Sequence, residues 1–404
     1  MRRIVRRIVG LALVFAGWGL LQAGDWTQFR GPGGSGISAE KELPTHWSKS
    51  EGLRWSVELP GRGLSNPVLA AGKVYVTACS GYRQRRLHVL CFEEKTGKKL
   101  WERQFTATGS TACHPVTNMA APTPVTDGKA VYALFATGDL AALDAQGNLL
   151  WYRSLVGDYP EITNQVGMAS SPVLAKGVLC IPMDNVGDAF LAGLDAATGQ
   201  NLWKHKRKAQ LNWVTPVTFP LGERTAVLFQ ASDLAEALDV QTGKVIWSFA
   251  SPGLSTIPSP TYAEGVLYLT SGRGAVLAVK PQPDGKSEEL FKAENVLAGY
   301  PSPVVYQGKL YGLTDVAVTC TDLKSGTELW KQRVEGKFSA SPIIADGKLY
   351  AINEKGRGFV LDIRGDKPKI LAKNDLDDKI QATPAVANGA IYLRSDNKLY
   401  CVGK

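Results

Sequence analysis

The stretch GLDAATGQNLW, residues 193–203, decides the fold. It runs from a Leu-Asp pair through a Thr-Gly turn to a Trp. An Asp side chain can cap a turn and a Gly supplies its left-handed position, so the pattern predicts two strands joined by a tight turn. The same spacing recurs along the chain. The copies end at Trp101, Trp151, Trp203, Trp247 and Trp330, with Phe291 in the place of Trp in one copy.

A second pattern marks the beginning of each repeat, where a small polar residue precedes a Pro. A strand, a turn glycine and an aliphatic-aromatic strand then follow, as in Gly347 and Leu349-Tyr350. Four short strands in each repeat of about 40–45 residues are typical of a propeller blade. The eight pairs are Asn66-Pro67, Thr123-Pro124, Ser171-Pro172, Thr215-Pro216, Ser259-Pro260, Ser302-Pro303, Ser341-Pro342 and Thr383-Pro384.

The last repeat is too short for a complete blade, because only 20 residues follow Pro384. They suffice for three strands. The stretch 53–57, which contains Trp55, carries the features of the missing outer strand. The sequence therefore predicts an all-β, eight-bladed propeller of four-stranded antiparallel blades, closed by an N-terminal strand. Residues 53–404 form this propeller, and residues 24–52 form an N-terminal extension.

Residues 1–23 have the features of a secretory signal peptide. Four arginines are followed by an apolar stretch of 14 residues, Ile8 to Leu21, and small residues at Ala23-Gly24 suit cleavage. A membrane-spanning helix needs about 20 apolar residues. We expect an exported protein, periplasmic or extracellular, with no transmembrane span after cleavage. A lipid-anchor Cys is absent, since the first cysteine is Cys79. A retained short membrane anchor is the alternative.

Composition and charge narrow the function classes. Hydrophobic residues make up 44% of the 404 and charged residues 21%, which fits a globular chain with a full core. The net charge of +9 suggests a nucleic-acid partner. Four of these charges leave with the signal peptide, and the basic clusters at 83–86 and 204–208 lack stacking aromatics. We therefore expect no nucleic acid and interpret these clusters as solvated surface, with contact to an acidic protein or an envelope polyanion as the alternative.

The repeats resemble the eight-bladed pyrroloquinoline-quinone-type (PQQ-like) propeller family over nearly the whole chain beyond residue 23. The Leu-Asp-x-x-Thr-Gly-x-x-x-Trp spacing carries the resemblance, and DWTQFRGP at 25–32 is similar to exported bacterial propellers. Some of these are related to the propeller lipoprotein of outer-membrane β-barrel assembly. The resemblance implies that each recurring Trp docks between neighbouring blades. These structural residues are Trp55, Trp101, Trp151, Trp203, Trp247 and Trp330.

The family includes quinone-dependent dehydrogenases, which usually carry two adjacent cysteines facing the quinone. The six cysteines here are all separated, and no nucleophile–base pair stands in a supporting motif. We predict no catalytic residue and no metal, and we interpret the acidic stretches 184–188 and 375–378 as solvated loops. Cys79 and Cys91 lie on consecutive strands of one hairpin and could face each other as a disulfide.

The resemblance also implies where a ligand would lie, since loops between blades line one mouth of the central channel. The residues three positions before each Pro should face it. Trp213, Tyr300 and Gln381 are candidates from this set, joined by His114, Asn118 and Arg273 from nearby loops. An alternative is that the aromatic side chains simply fill the channel. The full set is Leu64, Ala121, Ala169, Trp213, Ile257, Tyr300, Ser339 and Gln381.

We predict a non-catalytic exported scaffold that binds a protein or peptide partner in the cell envelope, as a monomer or as part of a complex. No cofactor is expected in this interpretation. The alternative is a protein that binds pyrroloquinoline quinone with calcium, or another small molecule, as a degenerate quinone-dependent dehydrogenase. The absence of an adjacent cysteine pair favours the scaffold.

Overall fold

The computed structural model describes residues 24–403, so the predicted signal peptide lies outside the described residues. Eight antiparallel sheets follow one another along the chain, and one of them gains a fifth, parallel strand at its edge. Within each sheet the strands neighbour each other in chain order, as they do in the blades of a propeller, except that the last two sheets each gain one N-terminal strand. The predicted all-β, eight-bladed propeller is confirmed.

The strands are short, and their bounds repeat from blade to blade. The first two are β1 (Ile37–Ser38) and β2 (Leu53–Glu58). Blades 1 to 4 contain β3 (Val68–Ala70), β4 (Lys73–Ser80), β5 (Arg86–Glu93), β6 (Lys99–Thr106); β7 (Val125–Thr126), β8 (Ala130–Leu134), β9 (Asp139–Asp144), β10 (Leu149–Ser154); β11 (Val173–Ala175), β12 (Val178–Met183), β13 (Phe190–Asp195), β14 (Asn201–Lys206); and β15 (Val217–Leu221), β16 (Arg224–Gln230), β17 (Leu234–Asp239), β18 (Val245–Ala250).

Blades 5 to 8 complete the ring, and one short helix, α1 (Leu155–Asp158), follows blade 2. The strands are β19 (Thr261–Ala263), β20 (Val266–Ser271), β21 (Ala275–Pro281), β22 (Ser287–Ala293); β23 (Val304–Tyr306), β24 (Lys309–Leu313), β25 (Ala317–Asp322), β26 (Glu328–Arg333); β27 (Ile343–Ala345), β28 (Lys348–Ile352), β29 (Arg357–Asp362), β30 (Lys369–Asp375); and β31 (Ala385–Ala387), β32 (Ala390–Arg394), β33 (Lys398–Val402).

Two kinds of turn account for the glycine and Asp-x-x-Thr-Gly residues that recur from repeat to repeat. Between β11 and β12, Lys176 and Gly177 have φ values of 52° and 75°. Two successive positive φ values are what a type I′ hairpin turn requires. Between β13 and β14, Asp195 Oδ1 accepts hydrogen bonds from Thr198 N (2.8 Å) and Thr198 Oγ1 (3.0 Å). The Asp-x-x-Thr-Gly motif is therefore a capped turn between the two outer strands.

The recurring tryptophans join one blade to the next. Trp101 of blade 1 donates from Nε1 to Ala145 O of blade 2 at 3.1 Å. Its ring lies on Gly147, where a Cβ would come within 2.7 Å of ring carbon Cδ2. Gly is thus required by this close approach as well as by its φ of 83°. The same contacts join Trp55 to Glu94 and Gly97, Trp151 to Ala196 and Gly199, and Trp203 to Val240 and Gly243.

The motif weakens in the second half of the ring. Trp247 still donates to Lys286 O of blade 5 at 3.2 Å. Phe291 keeps the packing, since its ring lies on Gly326 of blade 6. Trp330 has a buried Nε1 with no hydrogen-bond partner among the described residues. The hydrogen bond across the blade boundary is therefore formed by five of the six predicted tryptophans.

The N-terminal strand closes the ring as predicted. Strand β2 pairs antiparallel with β33 and supplies the outer strand of blade 8. Trp55 lies opposite Cys401 in this pairing, as Trp101 lies opposite Cys91 in blade 1. Blade 8 is thus assembled from both ends of the described chain, and its outer edge has the same register as the other blades.

The first part of the extension, residues 26–38, lies inside the ring, whereas Ser48 farther along pairs with Asp375 of β30 at the outer edge of blade 7. Trp26 pairs with Leu69 of β3 through two backbone hydrogen bonds of 2.9 and 2.8 Å. Thr27 O accepts from Thr126 of β7, and β1 pairs in parallel with β27. These partners are innermost strands of blades 1, 2 and 7. Residues 26–38 therefore run through the centre of the propeller and contact its inner wall.

The structure does not bring Cys79 and Cys91 together, so the possible disulfide between them is not formed. In the register of β4 and β5, Cys79 lies opposite Leu87 and Cys91 lies opposite Tyr75. The two cysteines are therefore four positions apart along the hairpin. All six cysteines are free thiols, and five of them are buried. Cys91, Cys320 and Cys401 each lie opposite a Trp, where a small side chain leaves room for the indole ring.

Candidate functional site

A cavity of about 380 Å³ lies on the axis of the propeller, where the loops between blades lead into the innermost strands. Its wall has two layers. The collar, the layer nearer the strands, consists of the residues that precede the repeat prolines: Asn66, Thr123, Ser171, Thr215, Ser259, Ser302, Ser341 and Thr383. The upper layer consists of the residues two positions earlier: Leu64, Ala121, Ala169, Trp213, Ile257, Tyr300, Ser339 and Gln381.

The collar is a closed ring of hydrogen bonds. In each blade the backbone N–H of the collar residue donates to the side-chain oxygen of the collar residue in the next blade. The bonds are Asn66 N to Thr123 Oγ1 (3.0 Å), Thr123 N to Ser171 Oγ (3.0 Å), Ser171 N to Thr215 Oγ1 (3.1 Å), Thr215 N to Ser259 Oγ (3.0 Å), Ser259 N to Ser302 Oγ (2.9 Å), Ser302 N to Ser341 Oγ (2.9 Å), Ser341 N to Thr383 Oγ1 (3.0 Å) and Thr383 N to Asn66 Oδ1 (2.9 Å).

This ring is a structural feature that sequence reasoning missed. The sequence shows eight small polar residues before Pro, but it does not show which hydrogen bonds they form. What the sequence does not show is that each collar residue supplies a side-chain oxygen that accepts from the backbone N–H of its neighbour. Ser, Thr and Asn provide such an acceptor on a short side chain. The last bond, from Thr383 to Asn66, crosses from blade 8 to blade 1 and completes the circle.

The upper layer supplies the large side chains of the cavity. Trp213 is held in place because its Nε1 donates to Gly167 O at 2.9 Å. Tyr300 is 40% exposed, and the Lys337 ammonium lies 5.3 Å from the centre of its ring. Gln381 has a buried Oε1 with no hydrogen-bond partner in the described part of the chain. Trp213, Tyr300 and Gln381 therefore all line one cavity.

Charged and polar groups lie at the rim. Ser339 Oγ donates to Glu354 Oε1 at 2.6 Å, and Lys337 Nζ lies 3.4 Å from the same carboxylate oxygen. Lys337 and Glu354 thus neutralise each other at one side. His114 lines the opposite part of the wall on an exposed loop, which is anchored by His114 N donating to Val166 O at 3.1 Å.

The N-terminal segment forms the floor of the cavity, where Phe29 is among the lining residues. The next residue, Arg30, is buried and reaches Thr261 Oγ1 of blade 5 from both Nη1 and Nη2, at 3.1 Å each. It also bonds Pro303 O of blade 6. The cavity is therefore closed below by the chain itself, while Trp213 and Tyr300 line its wall above this floor.

Two of the predicted site residues lie outside the cavity lining. Asn118 is buried, and its Oδ1 accepts a hydrogen bond from Ala120 N at 3.0 Å, so it shapes the loop rather than facing the channel. Arg273 is exposed in the hairpin turn between β20 and β21, and its φ is 60°. Since such hairpins join the second and third strands of a blade, Arg273 does not reach the innermost strand.

One hydrogen-bonded chain has the connectivity of a hydrolase triad. Ser80 Oγ lies 2.7 Å from His88 Nε2, and His88 Nδ1 lies 2.8 Å from Glu102 Oε1. His88, however, is only 2% exposed, and a Cβ on Gly61 would come within 2.8 Å of Ser80 Cβ. The backbone of Gly61 therefore covers the hydroxyl from one side. Burial lowers the pKa of His88, while Glu102 opposes the shift. Because the three residues lie on β4, β5 and β6, we assign their hydrogen bonds to the packing within blade 1.

The interpretation of the acidic stretches as solvated loops holds at Asp377, which is exposed, but it is wrong at Asp184, which is buried. Asp184 is buried against Arg207 at 2.8 Å, and Asp377 pairs with Lys49 at 2.5 Å. Among residues 24–403, no three His, Cys, Asp or Glu side chains lie close enough to hold a metal ion. In the same part of the chain, no helix has the length and apolar character needed to cross a membrane.

An eight-bladed ring closed by its N-terminal strand, with an axial cavity, defines a propeller of the PQQ-like class. The family model described as "Outer membrane protein assembly factor BamB" matches residues 38–184 and 187–403. The chain belongs to this family.

Two groups of relatives, dehydrogenases and assembly factors, stand beside a tetrathionate hydrolase. Polyvinylalcohol dehydrogenase of a Pseudomonas species is 25% identical over 368 residues, covering 69% of this chain and 54% of its own length. Outer membrane protein assembly factor BamB of Yersinia pestis is 25% identical over 290 residues, covering 67% of this chain and 70% of its own. The chain spans about half the length of the dehydrogenase.

Solved structures agree with the fold. A europium-containing methanol dehydrogenase aligns with a TM-score of 0.74 at 12% identity, covering 94% of this chain and 98% of its own. At this identity the likeness concerns the propeller architecture alone. The two groups of relatives therefore leave dehydrogenase and binding functions to be decided by the site itself.

The axial cavity does not fit a calcium-bound quinone. Calcium takes six to eight oxygen ligands, with carboxylates prominent among them. The cavity lining holds one carboxylate, Glu354, and that carboxylate is bonded to Ser339 and Lys337. Cys113 directly precedes the lining residue His114 in the sequence, and no second cysteine is adjacent to it. The donor set of the lining therefore gives no basis for assigning this cofactor.

Proposed function

We propose that the protein is a non-catalytic binding protein of the cell envelope and that a segment of a protein or peptide partner inserts into the axial cavity. The observation that carries this proposal is the cavity itself, which is closed below by Phe29 and lined above by a varied set of side chains. A blind cavity with an open rim suits insertion of a short apolar segment.

The exposed residues at the rim support this proposal. Tyr300 and Val116 are both 40% exposed and both line the cavity. Aromatic side chains are enriched where proteins bind each other, because they bury a large area at small entropic cost. Insertion of a partner side chain would remove apolar area of both the cavity and the partner from contact with water.

A rigid display is the mechanism that the fold provides. The collar fixes the eight loops relative to one another, and each loop then carries one upper-layer side chain into the cavity. Because the strands and collar are hydrogen-bonded around the whole ring, the loops are arranged before a partner arrives. Preorganisation lowers the entropic cost of binding. The family described as an assembly factor is consistent with this role.

Photo-crosslinking tests the proposal in cells that produce the protein. p-Benzoylphenylalanine replaces Tyr300 at the rim in one variant and Tyr82 in another. Tyr82 is 77% exposed, but it lies in the hairpin turn after β4 and does not line the cavity. We expect a discrete protein adduct from position 300 and none of the same mass from position 82.

A cavity-filling variant supplies the matched control. Ala169→Trp places a large side chain in the upper layer without touching the collar. Combined with the crosslinker at position 300, it should remove the adduct while the melting temperature stays unchanged. An adduct that persists with the cavity filled, or that forms equally from position 82, would contradict insertion into the cavity.

A quinone assay tests the second family of relatives directly. The purified protein is mixed with pyrroloquinoline quinone and calcium, and quinone absorbance and dye-linked alcohol oxidation are recorded. The lining's single paired carboxylate leads us to expect neither stoichiometric binding nor turnover. Turnover with bound quinone would replace the binding proposal with an enzymatic one.

A further inference from the structure

The collar leaves a set of hydrogen-bond donors unused. In the ring, each Ser or Thr oxygen accepts from a neighbouring backbone N–H. None of these seven hydroxyls has an acceptor for its own O–H among residues 24–403. A hydroxyl carries one donor in addition to its acceptor sites. Seven O–H groups therefore surround the bottom of the cavity without protein partners.

Asn66 adds an eighth donor, and its orientation is fixed. Its Oδ1 accepts from Thr383 N at 2.9 Å, so its Nδ2 must be the free end of the amide. That Nδ2 is buried with no partner, and Asn66 as a whole is 2% exposed while lining the cavity. An unpaired buried donor costs about 1–3 kcal/mol, which a ligand acceptor would recover.

A buried positive charge lies directly behind the collar. Arg30 is fully buried and has no carboxylate within ion-pair distance in the described chain. Its neighbours are Pro260 O at 3.5 Å and Pro303 O, which belong to the residues that follow collar members Ser259 and Ser302. Its Nε has no partner at all. Arg30 therefore places a guanidinium charge without a carboxylate partner beside the collar, where it would attract an anion.

Donors on all sides, together with a nearby unpaired cation, favour an anionic acceptor. We propose that the collar binds a carboxylate and that the apolar upper layer holds the hydrocarbon part of the same ligand. This inference rests on the proposed function, because the carboxylate would belong to the inserted partner segment. The group is either the carboxyl terminus of the partner or an acidic side chain.

The geometry favours a carboxylate over a neutral carbonyl. Hydrogen bonds to an ionised acceptor are roughly twice as strong as bonds between neutral groups. A carboxylate also has two oxygens with about four acceptor positions, so it can use donors from opposite sides of a ring. The wall above the collar includes Leu64, Ala121 and Ile257, whose apolar side chains can pack against the hydrocarbon part of the ligand.

Small probes test the chemistry without knowledge of the partner. N-acetyl-phenylalanine carries a chain-end carboxylate beside an apolar side chain, and N-acetyl-phenylalaninamide is its neutral match. N-acetyl-glutamic acid α-amide presents the carboxylate as a side chain, and N-acetyl-glutaminamide is its neutral match. Dissociation constants are measured by NMR titration of the whole protein at constant ionic strength, because salt screens charges.

We expect at least one acid to bind roughly tenfold more tightly than its neutral match, as charge-assisted hydrogen bonding implies. A preference shown by the phenylalanine pair identifies a chain end, and one shown by the glutamate pair identifies a side chain. Equal affinities within both pairs, or no binding by either acid, would overturn the inference.

Two variants locate the effect in the collar. Asn66→Asp keeps an oxygen for Thr383 N but replaces the free donor with a negative charge, so it should weaken acid binding roughly tenfold or more. Asn66→Ser keeps both an acceptor and a donor on a shorter side chain, so its loss of acid affinity should be smaller than that of Asn66→Asp. Arg30→Met, which removes the charge behind the collar, should weaken the acids and leave the amides unchanged.

The outcomes separate this inference from the proposed function. A crosslink at position 300 without any carboxylate preference keeps insertion into the cavity and removes the carboxylate. Folding of each variant is checked by its thermal transition, and the acid–amide comparison in the unaltered protein stands even where a variant fails to fold. Acid binding that is unchanged in folded Asn66→Asp would place the anion outside the collar and contradict the inference.

Discussion

The collar and the upper layer come from the same eight loops, two residues apart, and they differ in composition and role. Every collar residue is Ser, Thr or Asn, is buried, and bonds to its neighbour. The upper layer holds Leu, Ala, Trp, Ile, Tyr, Ser and Gln in the same geometric position. A collar position must supply a hydrogen-bond acceptor to the backbone N–H of its neighbour, so it permits little variation. A position that faces only the cavity is open to change, and we place the specificity of the protein there.

The largest loss of stability is expected from removing the ring closure on which the collar depends. Deletion of residues 45–58 removes β2 and with it Trp55, whose Nε1 donates to Glu94 O at 2.9 Å. Blade 8 then has an open edge beside blade 1, where the collar bond from Thr383 to Asn66 crosses. We expect loss of the cooperative thermal transition, measured by circular dichroism. A truncated protein with an unchanged melting curve would refute this closure.

A matched pair of tryptophans compares the scaffold with the cavity. Trp101 joins two blades, so Trp101→Ala should lower the free energy of unfolding by about 3–5 kcal/mol. Trp213 is only partly buried at the cavity wall and has one hydrogen bond, to Gly167 O. Trp213→Ala should cost about 1–2 kcal/mol. Denaturant unfolding of both variants gives the two values.

The order of the two losses is the critical result. Equal losses would mean that the upper layer contributes to stability as much as the blade contacts do, and the division between scaffold and cavity would fail. The crosslink from position 300 provides a second readout. Trp213→Ala should reduce it because it changes the cavity wall, whereas Trp101→Phe, which preserves an aromatic ring between the blades, should leave it in place.

A matched pair of serines compares the two layers themselves. Ser302→Ala leaves the buried Ser259 N–H without an acceptor, so it should cost about 1–3 kcal/mol. Ser339→Ala removes a hydrogen bond to Glu354 at the partly exposed rim, and it should cost less than about 1 kcal/mol. The measurement is again denaturant unfolding, and a larger loss from Ser339→Ala would reverse the assignment of the layers.

The repeat made most of the fold predictable from sequence. The turn residues Asp195 and Gly199 and the closing Trp203 each have a local requirement that recurs, so the blades, their number and the closing strand could all be inferred. The cysteine register could not, because a hairpin with a long second strand allows several facing pairs. The structure places Cys79 and Cys91 four positions out of register with each other.

The centre of the ring was much less predictable, since the N-terminal segment does not repeat. Nothing in the pattern indicates that Trp26 pairs with β3 or that Phe29 forms the floor. The positions of Trp213, Tyr300 and Gln381 followed from their offset to Pro. Nearness along the chain to the channel loops favours Asn118 and Arg273 as well, but their local turns direct both side chains elsewhere.

The smallest expected effect tests which chemical group the collar requires at position 66. Asn66 is the single amide among seven hydroxyls, yet it forms the same ring bond through Oδ1. If the ring needs only a short side-chain oxygen, Asn66→Ser should change the free energy of unfolding by less than about 0.5 kcal/mol. Asn66→Ala, which leaves Thr383 N without an acceptor, should cost about 1–3 kcal/mol in the same assay. A loss in Asn66→Ser as large as in Asn66→Ala would mean that the amide itself is needed for stability. The free Nδ2 would then belong to the scaffold rather than to the ligand site.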